Sequence, residues 1–105
     1  MKTYNVAILG ATGAVGREMM KILEERDFPV NRLKLLASAR SVGKKLVFRG
    51  QEVEVEEARH ESFEGMDIVL GAASNAVAKD MAPCIVKAGA VFVDNSSAFR
   101  LLDDV

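Results

Sequence analysis

The run from Tyr4 to Gly16, Y-N-V-A-I-L-G-A-T-G-A-V-G, constrains this chain more than any other part of it. An apolar stretch ends in three glycines spaced three apart, and an amphipathic helical pattern starts at once. This is a strand, a tight turn and a helix start. The first N–H groups of a helix have no partner inside it, and the helix dipole adds positive potential behind them. Such a junction suits a phosphate. The dinucleotide fingerprint G-x-G-x-x-G uses its glycines for the turn, for close approach to pyrophosphate and for helix–strand packing. Gly13 and Gly16 match its last two positions, whereas Ala11 takes the first and Gly10 supplies the turn one residue earlier. A nucleotide cofactor is the expected ligand, and the alternative is a βα turn that binds nothing.

The rest of the chain alternates strand and helix patterns, as an α/β fold with a mostly parallel sheet requires. Tyr4 to Leu9 reads as the first strand. A helix is expected from Gly13 to Arg26, with Val15, Met19, Ile22 and Leu23 on its apolar face. It should end at Asp27-Phe28-Pro29, because the residue before a proline is pushed out of helical geometry. Leu33 to Ala37 reads as the second strand. Lys45 to Phe48 and Gln51 to Glu56 alternate apolar and charged residues around Arg49-Gly50, which predicts a hairpin at the sheet edge. His60 to Gly65 reads as a polar connector and Asp67 to Gly71 as a buried strand. A helical region follows from Asn75 to Ala88, with Val77, Met81, Cys84, Ile85 and Ala88 on one face, and Pro83 either kinks it or starts a second helix at its first turn. Val91 to Asp94 is the last strand, and Asn95 to Val105 reads as loop. The expected fold is a Rossmann-like sheet with helices on both faces and a short edge hairpin.

Bulk properties remove other classes of function. A chain of 105 residues with half of them apolar fits one globular domain. The formal net charge of −1 and a pI of about 5.8 argue against a nucleic-acid surface. The apolar runs are far shorter than the roughly 20 residues a membrane-spanning helix needs. No signal-peptide pattern opens the chain, and the single cysteine, Cys84, has no internal disulfide partner. A cytoplasmic setting is expected.

The end of the second strand distinguishes between cofactors. NAD-binding domains place an acid there for the adenosine ribose hydroxyls. Here the residues are L-L-A-S-A-R-S, from Leu35 to Ser41, with no acid. Arg40 can pair with a 2′-phosphate, and Ser38 or Ser41 can donate a hydrogen bond to it. NADP is therefore the expected cofactor, against the alternative that Arg40 is a solvated loop arginine.

The motifs G-A-T-G-A-V-G, E-R-D-F-P-V, L-L-A-S-A-R-S-V-G-K, F-E-G-M-D-I-V-L, A-P-C-I-V-K-A-G-A-V and D-N-S-S-A-F-R occur in this order along nearly the whole chain. Together they resemble the N-terminal part of the aspartate-semialdehyde dehydrogenases. The resemblance implies NADPH-dependent reduction of aspartyl phosphate to aspartate semialdehyde with release of phosphate, on the route to lysine, methionine and threonine. It implies that Thr12, Gly13, Ala14 and Val15 hold the NADP pyrophosphate and that Arg40 and Ser41 hold the 2′-phosphate. It also places Asn95 near the nicotinamide and Arg100 on the substrate phosphate. After the D-I-V-L strand, Gly71-Ala72-Ala73-Ser74-Asn75 stands where the family usually has paired glycines, which leaves the role of this turn open.

The family's thiolate nucleophile and its histidine acid–base catalyst come from later sequence. Cys84 is expected to be a buried core thiol and His60 a surface residue. Residues 1–105 thus read as a cofactor-binding fragment, inactive alone and liable to self-associate through an uncovered apolar face. The full-length enzyme is expected to be a homo-oligomer. The alternatives are the cofactor domain of an N-acetylglutamyl-phosphate reductase and a non-catalytic NADP-binding or sensing module.

Overall fold

The computed structural model describes residues 3–72 and 75–94, the side chains of 75–78 and 94 excepted. Six strands form one sheet: β1 (Tyr4–Leu9), β2 (Val30–Ala37), β3 (Lys45–Phe48), β4 (Gln51–Glu57), β5 (Ile68–Gly71) and β6 (Val91–Asp94). Their spatial order is β3-β4-β2-β1-β5-β6. Every pairing is parallel except that of β3 with β4. Helices α1 (Ala14–Glu25) and α2 (Asn75–Lys87) each cover one face.

Alternation along the strands divides the core in two. Val6 and Ile8 join Leu35, Val55 and Leu70 beneath Met19, Met20 and Leu23 of α1. Ala7 and Leu9 join Leu36 and Val69 beneath Met81 and Ile85 of α2. Successive strand side chains point to opposite faces, so a central strand covered on both sides must be apolar throughout. On α1 the buried face includes Met20, while Val15 and Ile22 are only partly buried at its margins. The helix is thus rotated slightly from the expected stripe.

The expected hairpin is present at the sheet edge, with Phe48 paired to Gln51. Both of its turn residues have positive φ, Arg49 at 52° and Gly50 at 79°, as the tight hairpin turn that suits strand twist demands. Arginine rarely adopts this conformation, and several contacts hold it there. Its N–H donates to Glu24 Oε2 at 2.8 Å, and its guanidinium donates to the Phe28 carbonyl oxygen and stacks 5.0 Å from the Phe48 ring centroid. The hairpin is thereby fastened to the C-terminal end of α1.

Four expectations need correction. The second strand starts at Val30 rather than Leu33, because β1 runs alongside it from Tyr4 onward. The 60–65 segment is more than a polar connector: His60–Phe63 form a 3₁₀ turn that drives Phe63 into the core at 0% exposure. Cys84 is half-buried at the margin of the α2 cluster rather than fully enclosed. Pro83 does not start a second helix, since α2 runs through it. His60 is exposed as expected, 3.4 Å from Asp80 Oδ2.

Candidate functional site

From β1 the chain passes first to β2 and β4 on one side and later to β5 and β6 on the other. In a doubly wound sheet the strands part at this switch point, and a crevice opens at their carboxyl ends. The glycine turn lies there. Gly10, at φ 90°, turns the chain out of β1, and its N–H and that of Ala11 both donate to the Leu36 carbonyl, at 2.8 and 3.0 Å. The Ala72 N–H donates to the Leu9 carbonyl at 2.8 Å on the other side. The mouth of the crevice is therefore tied to both neighbouring strands.

The glycines of the turn have separate physical reasons. Gly10 has a backbone conformation that side chains disfavour. Gly16 is buried against the turn: a Cβ there would lie 2.7 Å from Ala11 Cα and overlap the Gly10 carbonyl oxygen. Gly13 is under neither constraint. Its φ of −76° and ψ of 169° suit any residue, and a Cβ would meet only the Gly10 oxygen, at an ordinary 3.6 Å. Gly13 is exposed and lines the crevice, so a side chain there would project into space a ligand can use.

Gly13 is also the N-cap of α1 and supplies no side-chain cap. Its carbonyl accepts from Arg17 N–H at 3.0 Å, the first bond of the helix. Among the described residues, no group accepts from the N–H of Ala14, Val15 or Gly16. Three donors thus lie at the positive end of a 12-residue helix, directly after Gly13.

The crevice measures about 430 Å³, within the range of small-molecule sites. Gly10, Thr12 and Gly13 form one wall, and Ser38 and Ala39, which follow β2, form another. Thr12 Oγ1 and Ser41 Oγ lie 3.3 Å apart, so the structure joins the glycine turn to the loop after β2. Arg40 lies in the 3₁₀ turn Ala39–Ser41, next to the crevice lining rather than part of it, exposed and paired with no acid among the described residues. Asn95 and Arg100 lie outside the described residues, as do Ala73 and Ser74 of the small-residue turn. Ala72 of that turn lines the crevice.

Sequence reasoning missed Glu57, Ala58 and Met81, which complete the lining. Ala58 follows and Glu57 ends β4, a strand the hairpin pattern assigned only to the edge. Its last three residues also pair with β2, in register Leu35–Val55 to Ala37–Glu57, and so reach the crevice. Among the described residues, no cluster of histidine, cysteine and carboxylate side chains is placed to hold a metal ion, and no helix is long and apolar enough to cross a membrane.

A doubly wound sheet with a glycine turn at its switch point defines a dinucleotide-binding domain. Comparison with known proteins narrows this. The family described as semialdehyde dehydrogenase, NAD binding domain, matches residues 5–105, and the chain belongs to it. An aspartate-semialdehyde dehydrogenase of Bacillus subtilis is 53% identical over 97 residues, covering 92% of this chain and 28% of that protein. Aspartate-semialdehyde dehydrogenase II of Vibrio cholerae, solved with ASA, superposes with a TM-score of 0.85 at 43% identity over 89% of this chain and 30% of that one. The Candida albicans enzyme, solved with NADP, gives a TM-score of 0.70 at 28% identity over 89% of this chain and 29% of that one. The chain therefore spans under a third of the length of these relatives.

Proposed function

We propose that this chain is the NADP-binding part of an aspartate-semialdehyde dehydrogenase, which as a whole reduces aspartyl phosphate to the semialdehyde and releases phosphate in the cytoplasm. The observation that carries the proposal is Gly13. It is a glycine that neither backbone conformation nor internal packing requires, beside three undonated N–H groups at a helix start. A pyrophosphate laid against it accepts from the N–H groups of Ala14, Val15 and Gly16, with Thr12 at its flank. A Cβ at residue 13 would occupy part of that space, so the residues present fit the cofactor.

Arg40 and Ser41 take the 2′-phosphate in this proposal. The exposed guanidinium, unpaired among the described residues, and the Ser41 hydroxyl held near Thr12 both support that role. Asn95 is assigned to the nicotinamide end and Arg100 to the substrate phosphate on the family resemblance alone. When bound, the nicotinamide supplies hydride to the acyl carbon. The residues of this chain bind and orient the cofactor, and the nucleophile and acid–base groups belong to the remainder of the enzyme.

Calorimetric titration of the chain with NADP and NAD tests the proposal. NADP should bind more tightly than NAD. Arg40→Glu should weaken NADP by about 1.5–3 kcal/mol, the worth of a hydrogen bond to a charged group, and leave NAD nearly unchanged. Equal loss for both cofactors would refute the 2′-phosphate assignment.

A further inference from the structure

No acid stands at the end of β2, but the fold brings one to the crevice from the adjacent strand. β4 runs parallel to β2 with Glu57 opposite Ala37, and the Ala58 N–H donates to the Ala37 carbonyl at 2.9 Å. Glu57 thereby lines the crevice beside Ser38 and Ala39. Neighbouring strands lie about 4.8 Å apart, so its Cα stands one strand spacing from the start of the loop that carries Arg40 and Ser41.

The Glu57 side chain has little structural work within the described residues. Its partner is Arg59, two positions along the same chain, with Nη2 3.2 Å from Oε1. The side chains are 41% and 63% exposed, so water and salt screen the pair and the fold gains little from it. A carboxylate with acceptor capacity to spare therefore belongs to the crevice lining, next to the loop that carries Arg40.

We propose that Glu57, tempered by Arg59, is a specificity determinant at the adenosine end of the crevice. Its carboxylate accepts hydrogen bonds from the ribose hydroxyls of NAD and repels the 2′-phosphate of NADP. A carboxylate suits a vicinal diol because it accepts on two oxygens and donates from neither. It offsets part of the discrimination that Arg40 and Ser41 provide and lets the site accept both cofactors. This inference rests on the dinucleotide-binding reading of the crevice.

The test is calorimetric titration of the wild type, Glu57→Gln and Arg59→Gln with NADP and with NAD, alongside thermal melts. Glu57→Gln keeps the shape and removes the charge. It should raise the ratio of NADP to NAD association constants about fivefold, as expected for one exposed charge interaction together with a lost charge-assisted hydrogen bond. Arg59→Gln frees the carboxylate and should lower the same ratio. Melting temperatures should remain close to wild type, which a purely structural role for the pair would not allow. A ratio unchanged in Glu57→Gln, or equal weakening of both cofactors, would overturn the inference while leaving the cofactor site intact. A wild type that binds neither dinucleotide would overturn the underlying reading as well.

Discussion

The glycines at 13 and 16 can be separated by experiment, because the structure gives them different reasons to exist. Adding a methyl at Gly16 places a carbon 2.7 Å from Ala11 Cα and 2.9 Å from its carbonyl carbon. These are main-chain atoms that cannot rotate away. Overpacking of this kind costs about 1–3 kcal/mol. Taking about 2 kcal/mol, and about 4–8 °C per kcal/mol for a domain of this size, Gly16→Ala should lower the melting temperature by about 8–16 °C. At Gly13 the added methyl meets one oxygen at 3.6 Å. Losing glycine from the N-cap is offset by reduced freedom of the unfolded chain, so Gly13→Ala should melt within about 4 °C of wild type. Its effect should fall on binding. A methyl that holds the pyrophosphate off the helix amides removes at least one charge-assisted hydrogen bond, about 1.5–3 kcal/mol, or roughly ten- to hundredfold in Kd. Calorimetry and titration on the two variants check both halves. Unchanged NADP affinity in Gly13→Ala, or a wild-type melt for Gly16→Ala, would refute this division of roles.

The Thr12–Ser41 contact should behave as a coupled pair. Thr12→Val and Ser41→Ala should each weaken NADP binding by about 0.5–1.5 kcal/mol, and the double variant by less than their sum; full additivity in the cycle would show that the two hydroxyls act independently. Phe63→Ala should destabilise the domain by about 3–5 kcal/mol in urea unfolding, because a fully buried ring leaves a cavity behind. A loss below about 1 kcal/mol would mean that the 60–63 turn is not part of the core.

The parts legible in the sequence are those whose signal is local. β1, the hairpin and the glycine turn are each written in one contiguous stretch, through alternation, spacing and the helix that follows. Phe63 was not legible. It is one apolar residue among Arg59, His60, Glu61, Ser62 and Glu64, and only its place in a buried cluster with residues distant in sequence, such as Leu36 and Ile85, reveals it as core. Glu57 escaped for a related reason. Alternation identifies β4 as a strand but does not say that its last residues change partner and pair with β2. The site divides in the same way. Gly10, Thr12, Gly13 and Ser38 were readable from the motif, whereas the wall contributed by β4 depends on topology that no local pattern encodes.

The central claim is that main-chain amides at the start of α1 grip the dinucleotide phosphates. Amide NMR of the isotopically labelled chain, titrated with NADP, tests it most directly. The N–H resonances of Ala14, Val15 and Gly16 should shift strongly and saturate together. If NADP binds while those three resonances stay in place and others move, the phosphate is held elsewhere and the helix start is not its site.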